Sequence, residues 1–342
     1  MGERRRGALA RAAYIRKGIG DPLAALTSID RAASIDSDFA EQVARTHDAW
    51  SLALASAELQ VVAQALATAA ISVEECTREA ETISELPVTR RRLQAIRNSV
   101  SRCAVDAAPG AFERFVLAHT VLQHLNELKS AAVPAVVKRL TCTGLLRFAD
   151  SREAIDLSES RFEGLCKMAT LRRFAAGQFD WERSGLPRSW LPRVRPWSEL
   201  IGLLIMIASE WHAFGPAFFV HMPAAYPILA LREGEVLKSY YRMAQAMELQ
   251  PQIRGLIASA WLHSPATFEI SPHLAWLNSV FAGNGAVIAT MGPAPLDCGV
   301  LAQSVERQRA FNDGRFKPTI GLVVWSRRDM LAWAAAHREF GD

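Results

Sequence analysis

The chain has 342 residues, half of them apolar and 22% charged. That composition excludes a disordered chain and leaves enough apolar surface for one large domain or two ordinary ones. Its net charge is only +4 and evenly spread, with 19 Lys/Arg against 17 Asp/Glu in the first 150 residues and 20 against 18 in the rest, so neither half carries the charge of a nucleic-acid-binding protein.

The N-terminus, Met1-Gly2-Glu3-Arg4-Arg5-Arg6, has no apolar stretch behind it, and Arg6 breaks the myristoylation pattern; neither a secretory signal nor a lipid anchor is expected. The longest apolar run, Leu200 to Ala208, is too short to span a bilayer. The five cysteines, Cys76, Cys103, Cys142, Cys166 and Cys298, are odd in number and widely spaced. They read as small buried hydrophobes of a reducing, cytoplasmic compartment.

The first part of the chain predicts helices. Asp38-Phe39-Ala40-Glu41 has the form of a capping box. Phe39, Val43, Thr46, Trp50, Leu54, Ala57 and Val61 follow at steps of three and four, one face of a long helix. Ser72-Val73-Glu74-Glu75 is a second capping box, and Pro87 opens a helix carrying Leu93, Ile96 and Val100. After Pro109-Gly110 a further helix carries Phe112, Phe115, Val116, His119 and Leu122, and apolar residues near 133–148 and 155–171 predict two more. No repeat of fixed period is present, so the expectation is a helical bundle. His119 lies on the apolar stripe, a core position; His124, five residues on, lies on another face of the helix. The basic cluster Arg90, Arg91, Arg92, Arg97 and Arg102 follows Glu74, Glu75, Glu79, Glu81 and Glu85, and predicts a self-complementary surface.

Of nine tryptophans only Trp50 precedes residue 181. Residues 177–197 hold three prolines and Trp181, Trp190 and Trp197, interleaved with Arg183, Arg188, Arg193 and Arg195. This stretch reads as an ordered connector whose tryptophans anchor it. Beyond it, strands are predicted at 217–222, 228–231, 255–262, 286–291 and 319–325, and helices at 200–211, 235–249, 272–281, 304–312 and 328–337. The whole is therefore α + α/β: a helical domain over 1–176, the connector over 177–197, and a mixed, partly parallel sheet covered by helices over 198–342.

Ionisable residues gather in the predicted loops of the second half: His212, His221, His263, His273, Glu269 and Asp297. His221 and His263 stand at predicted strand C-termini and Asp297 follows another strand; the crevice beyond strand C-termini is where open α/β sheets bind ligands. Residues 228–291 run strand, Arg232-Glu233-Gly234-Glu235, helix, strand Gly255 to His263, then Ser271-Pro272-His273. This order is similar to the second half of GNAT-like acyltransferases, and Ser259-Ala260-Trp261-Leu262 resembles a Ser-Trp-Leu strand of some bacterial GNAT-like domains. The loop departs from the family's Gln/Arg-x-x-Gly-x-Gly/Ala pattern in having one glycine and two carboxylates. The resemblance implies an acyl-CoA whose pyrophosphate sits at a helix N-terminus, with a following strand that splays to admit the pantetheine arm.

Three readings follow. The first is a small-molecule enzyme, GNAT-like, with His263, His273, Asp297 and Ser259 in the chemistry, Arg232 and Gly234 on the cofactor, and no bound metal. The second is a non-catalytic protein that docks on a protein partner or on a second copy through its helical half and connector. The third is a metal-dependent enzyme using His221, His263 and His273. Neither nucleic acid nor membrane is expected as a partner.

Overall fold

The computed structural model describes residues 22–83, 87–104, 107–149, 160–210, 214–222, 231–295, 300–301 and 304–341. Helix α1 (Pro22–Ala55) runs straight through Asp38, so the first capping box begins no helix. No glycine or proline falls between Pro22 and Ala55 to stop it. The stripe beginning at Phe39 is instead divided at Ser56, whose hydroxyl accepts from the Leu59 amide and starts α2 (Ala57–Thr68). The axis turns by 66° there. The buried face accordingly changes from Phe39, Val43, Thr46 and Trp50 to Leu59, Val62, Ala65 and Leu66. Ser72 caps α3 (Val73–Glu81) by accepting from the Glu75 amide at 3.1 Å. Helix α4 (Pro87–Cys103) buries Leu93, Ile96 and Val100, and α5 (Ala111–His124) buries Phe112, Phe115 and Val116. His119, placed at a core position by the apolar stripe, packs on Phe115 with ring centroids 4.6 Å apart but is only half-buried. Helices α6 (Ala135–Ala149) and α7 (Ser160–Ala169) complete the bundle.

The basic cluster is largely matched by this chain's own carboxylates. Arg92 pairs with Glu79 at 3.3 Å, Arg97 with buried Glu113 at 3.2 Å, and Arg90 with Glu163 at 2.8 Å. Cys76, Cys142 and Cys166 are buried and Cys103 is exposed; burial pushes the Cys76 thiol up to about 12. Cys298 lies outside the described residues.

The sheet begins at β1 (Arg173–Ala175), inside the predicted helical domain, and continues at β2 (Asp180–Gly185), inside the predicted connector. The connector is thus part of the sheet. Period-two alternation in Asp180-Trp181-Glu182 is the signal for it, short enough to be hidden by the prolines that follow. A 3₁₀ turn (Arg188–Arg193), β3 (Val194–Arg195) and α8 (Trp197–Ser209) come next. Then follow β4 (Pro216–His221), α9 (Glu233–Glu248), β5 (Gly255–Ala260), α10 (Pro265–Ile270), α11 (Trp276–Ala282), β6 (Val287–Pro293), α12 (Val305–Asn312), β7 (Thr319–Ser326) and α13 (Arg327–Ala336). The predicted strand at 228–231 falls, apart from Leu231, outside the described residues. The predicted helix over 272–281 is divided into a 3₁₀ turn, Pro272–Leu274, and α11.

The seven strands are ordered β1-β2-β4-β5-β7-β6-β3. Among the described strands only β4 and β5 run parallel, and α9 is the crossover that a parallel pair needs. One face of the sheet, with Trp181, Phe218, Val220, Leu256, Val323 and Trp325, shares a continuous apolar core with the helical bundle and α9. The other, with Ala217, Ile257, Ala289, Leu322 and Val324, lies under α8. Trp181 is fully buried, stacked on Phe174 at 4.9 Å and tilted on Phe218 at 3.9 Å.

Gly321, between Ala260 and Thr290 in the sheet, is required by a close approach: a Cβ there would lie 2.3 Å from the His263 carbonyl carbon. Gly321→Ala is expected to cost about 1–3 kcal/mol of stability through overpacking, read as a lower urea midpoint with an unchanged slope.

Candidate active site

The strand register builds one polar cluster. Asp180 lies opposite His221, Glu182 opposite Phe219, Arg173 opposite Glu182 and Ala175 opposite Asp180. Side chains two residues apart share a face, so Arg173, Asp180, Glu182 and His221 project on the same side of β1, β2 and β4. His221 is the last residue of β4, on the strand that runs parallel to β5. Helices α6 and α7 close over this edge of the sheet and leave a cleft of about 350 Å³. Its walls combine apolar Leu140, Phe148, Met168 and Met222 with Arg147, Arg161, Lys167, Arg173, Asp180 and His221. A largely apolar cavity of that size with a few convergent polar groups is the usual form of a small-molecule site.

On its wall, His221 Nε2 lies 3.4 Å from Glu182 Oε1, and Lys167 Nζ lies 2.8 Å from the other Glu182 oxygen and 3.1 Å from Glu163. Arg173 Nη2 is 3.0 Å from Asp180. Burial by itself raises the Glu182 carboxyl, but the close approach and positive charge of His221 and Lys167 outweigh it and hold the group at about 2. Burial lowers the His221 imidazole, against the pull of Glu182 and with the help of nearby Arg173 and Lys167. At neutral pH the pair is therefore a carboxylate beside a neutral imidazole. Burial pushes the Asp180 carboxyl up to about 6, although Arg173 opposes the shift.

The cleft adjoins the start of α9. In the turn between β1 and β2, Gly177 has φ +124°, and a Cβ there would lie 2.9 Å from Arg242 Nη1 and 3.0 Å from Ser239 Oγ. Only glycine fits easily. Next to it the Gln178 amide donates to Ser239 at 3.0 Å, and Gln178 Oε1 accepts from the Arg232 amide at 2.9 Å. The turn that forms one wall of the cleft is thus fastened to α9.

Of the residues singled out in the sequence, Arg232 and Gly234 stand exposed at the N-terminus of α9. Ser259 lies on β5, one residue past Ala258, which pairs with Val220. Strand β5 ends at Ala260, so His263 falls in a 3₁₀ turn rather than at the strand end. There it is buried, with Nδ1 2.8 Å from Asn278 Oδ1 and its ring against Phe281. His273 is exposed in its own 3₁₀ turn. His263 and His273 are not among the residues lining the cleft. His212 and Asp297 lie outside the described residues. Among the described residues no three His, Cys, Asp or Glu side chains gather at metal-binding spacing, so His221, His263 and His273 are not brought together. Lys167, Arg173, Asp180 and Glu182 are the members of the cluster that sequence reasoning missed.

No protein-family model and no curated protein matches the chain. Among solved structures it overlaps an acyltransferase in complex with decanoyl-CoA at 12% identity and TM-score 0.43, covering 66% of this chain and 68% of that one. It also overlaps a mutant acyltransferase in complex with octanoyl-CoA at 11% identity and TM-score 0.42, over 73% and 83% of the two chains. A third overlap, with an acyltransferase in complex with CoA and 10C-teicoplanin, has 12% identity and TM-score 0.41 over 72% and 82%. Overlaps this loose assign neither a family nor a ligand to this chain. Among the described residues no single helix is long and apolar enough to cross a membrane.

Proposed function

We propose that this chain is a GNAT-like enzyme that transfers an acyl group from acyl-CoA to a small acceptor, with His221 as general base. The observation that carries the reading is the unit β4–α9–β5. It contains the one parallel pair of the described sheet, paired from Phe218↔Leu256 to Val220↔Ala258, and His221 follows directly at the mouth of a cleft. A crevice beyond the C-terminal ends of parallel strands is a favoured ligand site. The sixteen-residue helix α9 presents its N-terminal amides and Arg232 on that side of the fold. Amides and dipole there suit a pyrophosphate. Of the two carboxylates in the first turn, Glu235 is paired with Lys238 at 2.9 Å, which offsets part of their repulsion. Ser259 follows the last parallel pair on β5, and in this reading it contacts the pantetheine arm.

The chemistry uses the neutral state of His221. With Nε2 3.4 Å from the Glu182 carboxylate, the proton belongs on Nε2 and the lone pair on Nδ1. That nitrogen takes the proton from an acceptor amine or hydroxyl as the acceptor's lone pair attacks the thioester carbonyl. The carbon–sulfur bond then breaks and the departing thiolate takes up the proton, which returns His221 to its neutral form. Lys167 fixes the Glu182 carboxylate, and Glu182 in turn steadies the imidazole and stabilises its transient charge.

The test is binding of CoA and acyl-CoA by thermal shift and calorimetry. Saturating acyl-CoA is expected to raise Tm by a few degrees, and Arg232→Glu to weaken binding at least tenfold without changing the melting of the free protein. A chain whose melting is unmoved by millimolar CoA and acyl-CoA would overturn the proposal.

A further inference from the structure

Helix α8 is apolar on both sides. Leu200, Leu203, Met206 and Ile207 are buried against the sheet. The opposite side carries Trp197, Ile201, Leu204 and Ile205 at 65%, 55%, 42% and 62% exposure. These four fall at steps of four, three and one, which places them in a single stripe about 100° wide, and Gly202 beside it has open space around its Cα. Four large apolar side chains presented together on a surface mark a contact site.

Charge says what the stripe meets. At its N-terminal end Arg188, Arg193 and Arg195 are exposed, and the Arg195 guanidinium lies 5.1 Å from the Trp197 ring centre. The two carboxylates next to the helix are engaged elsewhere: Glu199 accepts from the Thr290 amide at 2.6 Å and Glu210 pairs with Arg328 at 2.6 Å. The face therefore offers apolar area and positive charge, with its neighbouring acids turned away. A second copy of this chain would bring the same positive rim and no complement to it. An anionic phospholipid surface supplies both: acyl chains for Ile201, Leu204 and Ile205, the interface for Trp197, and phosphates for the arginines.

We infer that α8 and the preceding turn dock the protein on the surface of an anionic membrane, lying on it without spanning it. This differs from the sequence expectation of no membrane partner, which rested on the shortness of the apolar run. Docking here does not depend on the acyl-transfer reading.

The experiment is co-sedimentation of the full chain with vesicles of phosphatidylglycerol or of phosphatidylcholine, in near-physiological salt. Binding to phosphatidylglycerol vesicles is expected to exceed that to phosphatidylcholine at least tenfold. Ile201→Ser with Ile205→Ser, and separately Arg193→Glu with Arg195→Glu, are each expected to reduce it at least tenfold, with circular dichroism and melting unchanged. No binding by the unaltered chain, or binding indifferent to both pairs of substitutions, would overturn the inference. So would a dimer in light scattering that the Ile201→Ser, Ile205→Ser pair dissociates while no vesicle binding is seen; a second copy would then be what covers the stripe.

Discussion

Replacing His221 by glutamine is expected to lower kcat/KM for acyl transfer by about 10²- to 10⁴-fold, the range for loss of a general base. The assay follows thiol released from acyl-CoA in the presence of an acceptor. The isosteric amide keeps the size of the side chain, so acyl-CoA affinity should change little, and the loss should fall on kcat. The pH profile separates this role from a packing role. Burial holds the His221 imidazole below its ordinary 6.5, so activity should be full at neutral pH and fall only as pH drops through that lowered value. Glu182 favours the protonated imidazole. Glu182→Gln should therefore move the acidic limb to still lower pH while reducing kcat, because the imidazole loses both its partner and the charge that stabilises it. A His221→Gln enzyme within about threefold of the parent rate would remove the general-base assignment.

Stability in acid follows from the same cluster. The Glu182 carboxyl is depressed from 4.5 to about 2, so its contribution to stability is present above pH 4.5 and is lost as pH falls toward 2. Asp180 has the opposite sign. Its carboxyl is raised from 3.8 to about 6, so its stabilising contribution is complete below pH 3.8 and is lost as pH rises through 6. The Asp180→Asn variant should accordingly show a flatter stability profile between those limits, measured as urea midpoint against pH.

The largest effect on stability is expected from Trp181→Ala, at about 3–5 kcal/mol, the usual cost of deleting a large aromatic side chain from a core. Trp181 is fully buried between Phe174 and Phe218, where strands β1, β2 and β4 meet the core shared with the helical bundle. The cavity left behind has walls from both parts of the chain, so loss of the indole should loosen bundle and sheet together. Urea unfolding followed by far-ultraviolet dichroism should show one transition shifted to lower denaturant. Trp197→Ala is the control: that ring is exposed, and its removal should change stability by no more than about 0.5 kcal/mol. Equal effects at the two positions would contradict the burial pattern.

Several elements were legible because their signals are local. Ser72 caps a helix where the side-chain pattern places it, since a hydroxyl accepting an amide three residues on needs nothing from elsewhere in the chain. The apolar spacing of Leu93, Ile96 and Val100 marks the buried face of α4 for the same reason. The four strands predicted at 217–222, 255–262, 286–291 and 319–325 correspond to β4, β5, β6 and β7. Where neighbours decide, the sequence is a poorer guide. Nothing local stops α1 at Asp38, so the capping box there begins no helix. The stretch 177–197 was read as a connector because its prolines exclude a helix, whereas Asp180 to Gly185 finds partners on both sides, β1 and β4, and becomes a strand of the sheet.

The candidate site divides in the same way. His221 was legible as a histidine at the end of a strand. Its partners were not, because Lys167 comes from a helix of the bundle and Glu182 from the stretch taken for a connector. Their meeting depends on strand register and on α7 closing over the sheet edge, long-range pairings that no window of sequence contains. His263 shows the converse: the three-residue 3₁₀ turn Trp261–His263 carries it into the core and onto Asn278. By itself the sequence determined the helical first half, the alternating second half and the strand–helix–strand order, because backbone propensity and apolar period act over a few residues. The tertiary structure alone decided that the two halves share one core, and that Lys167 and His221 line a single cleft with Glu182 joining them, because burial and register are set by contacts between residues far apart in the chain.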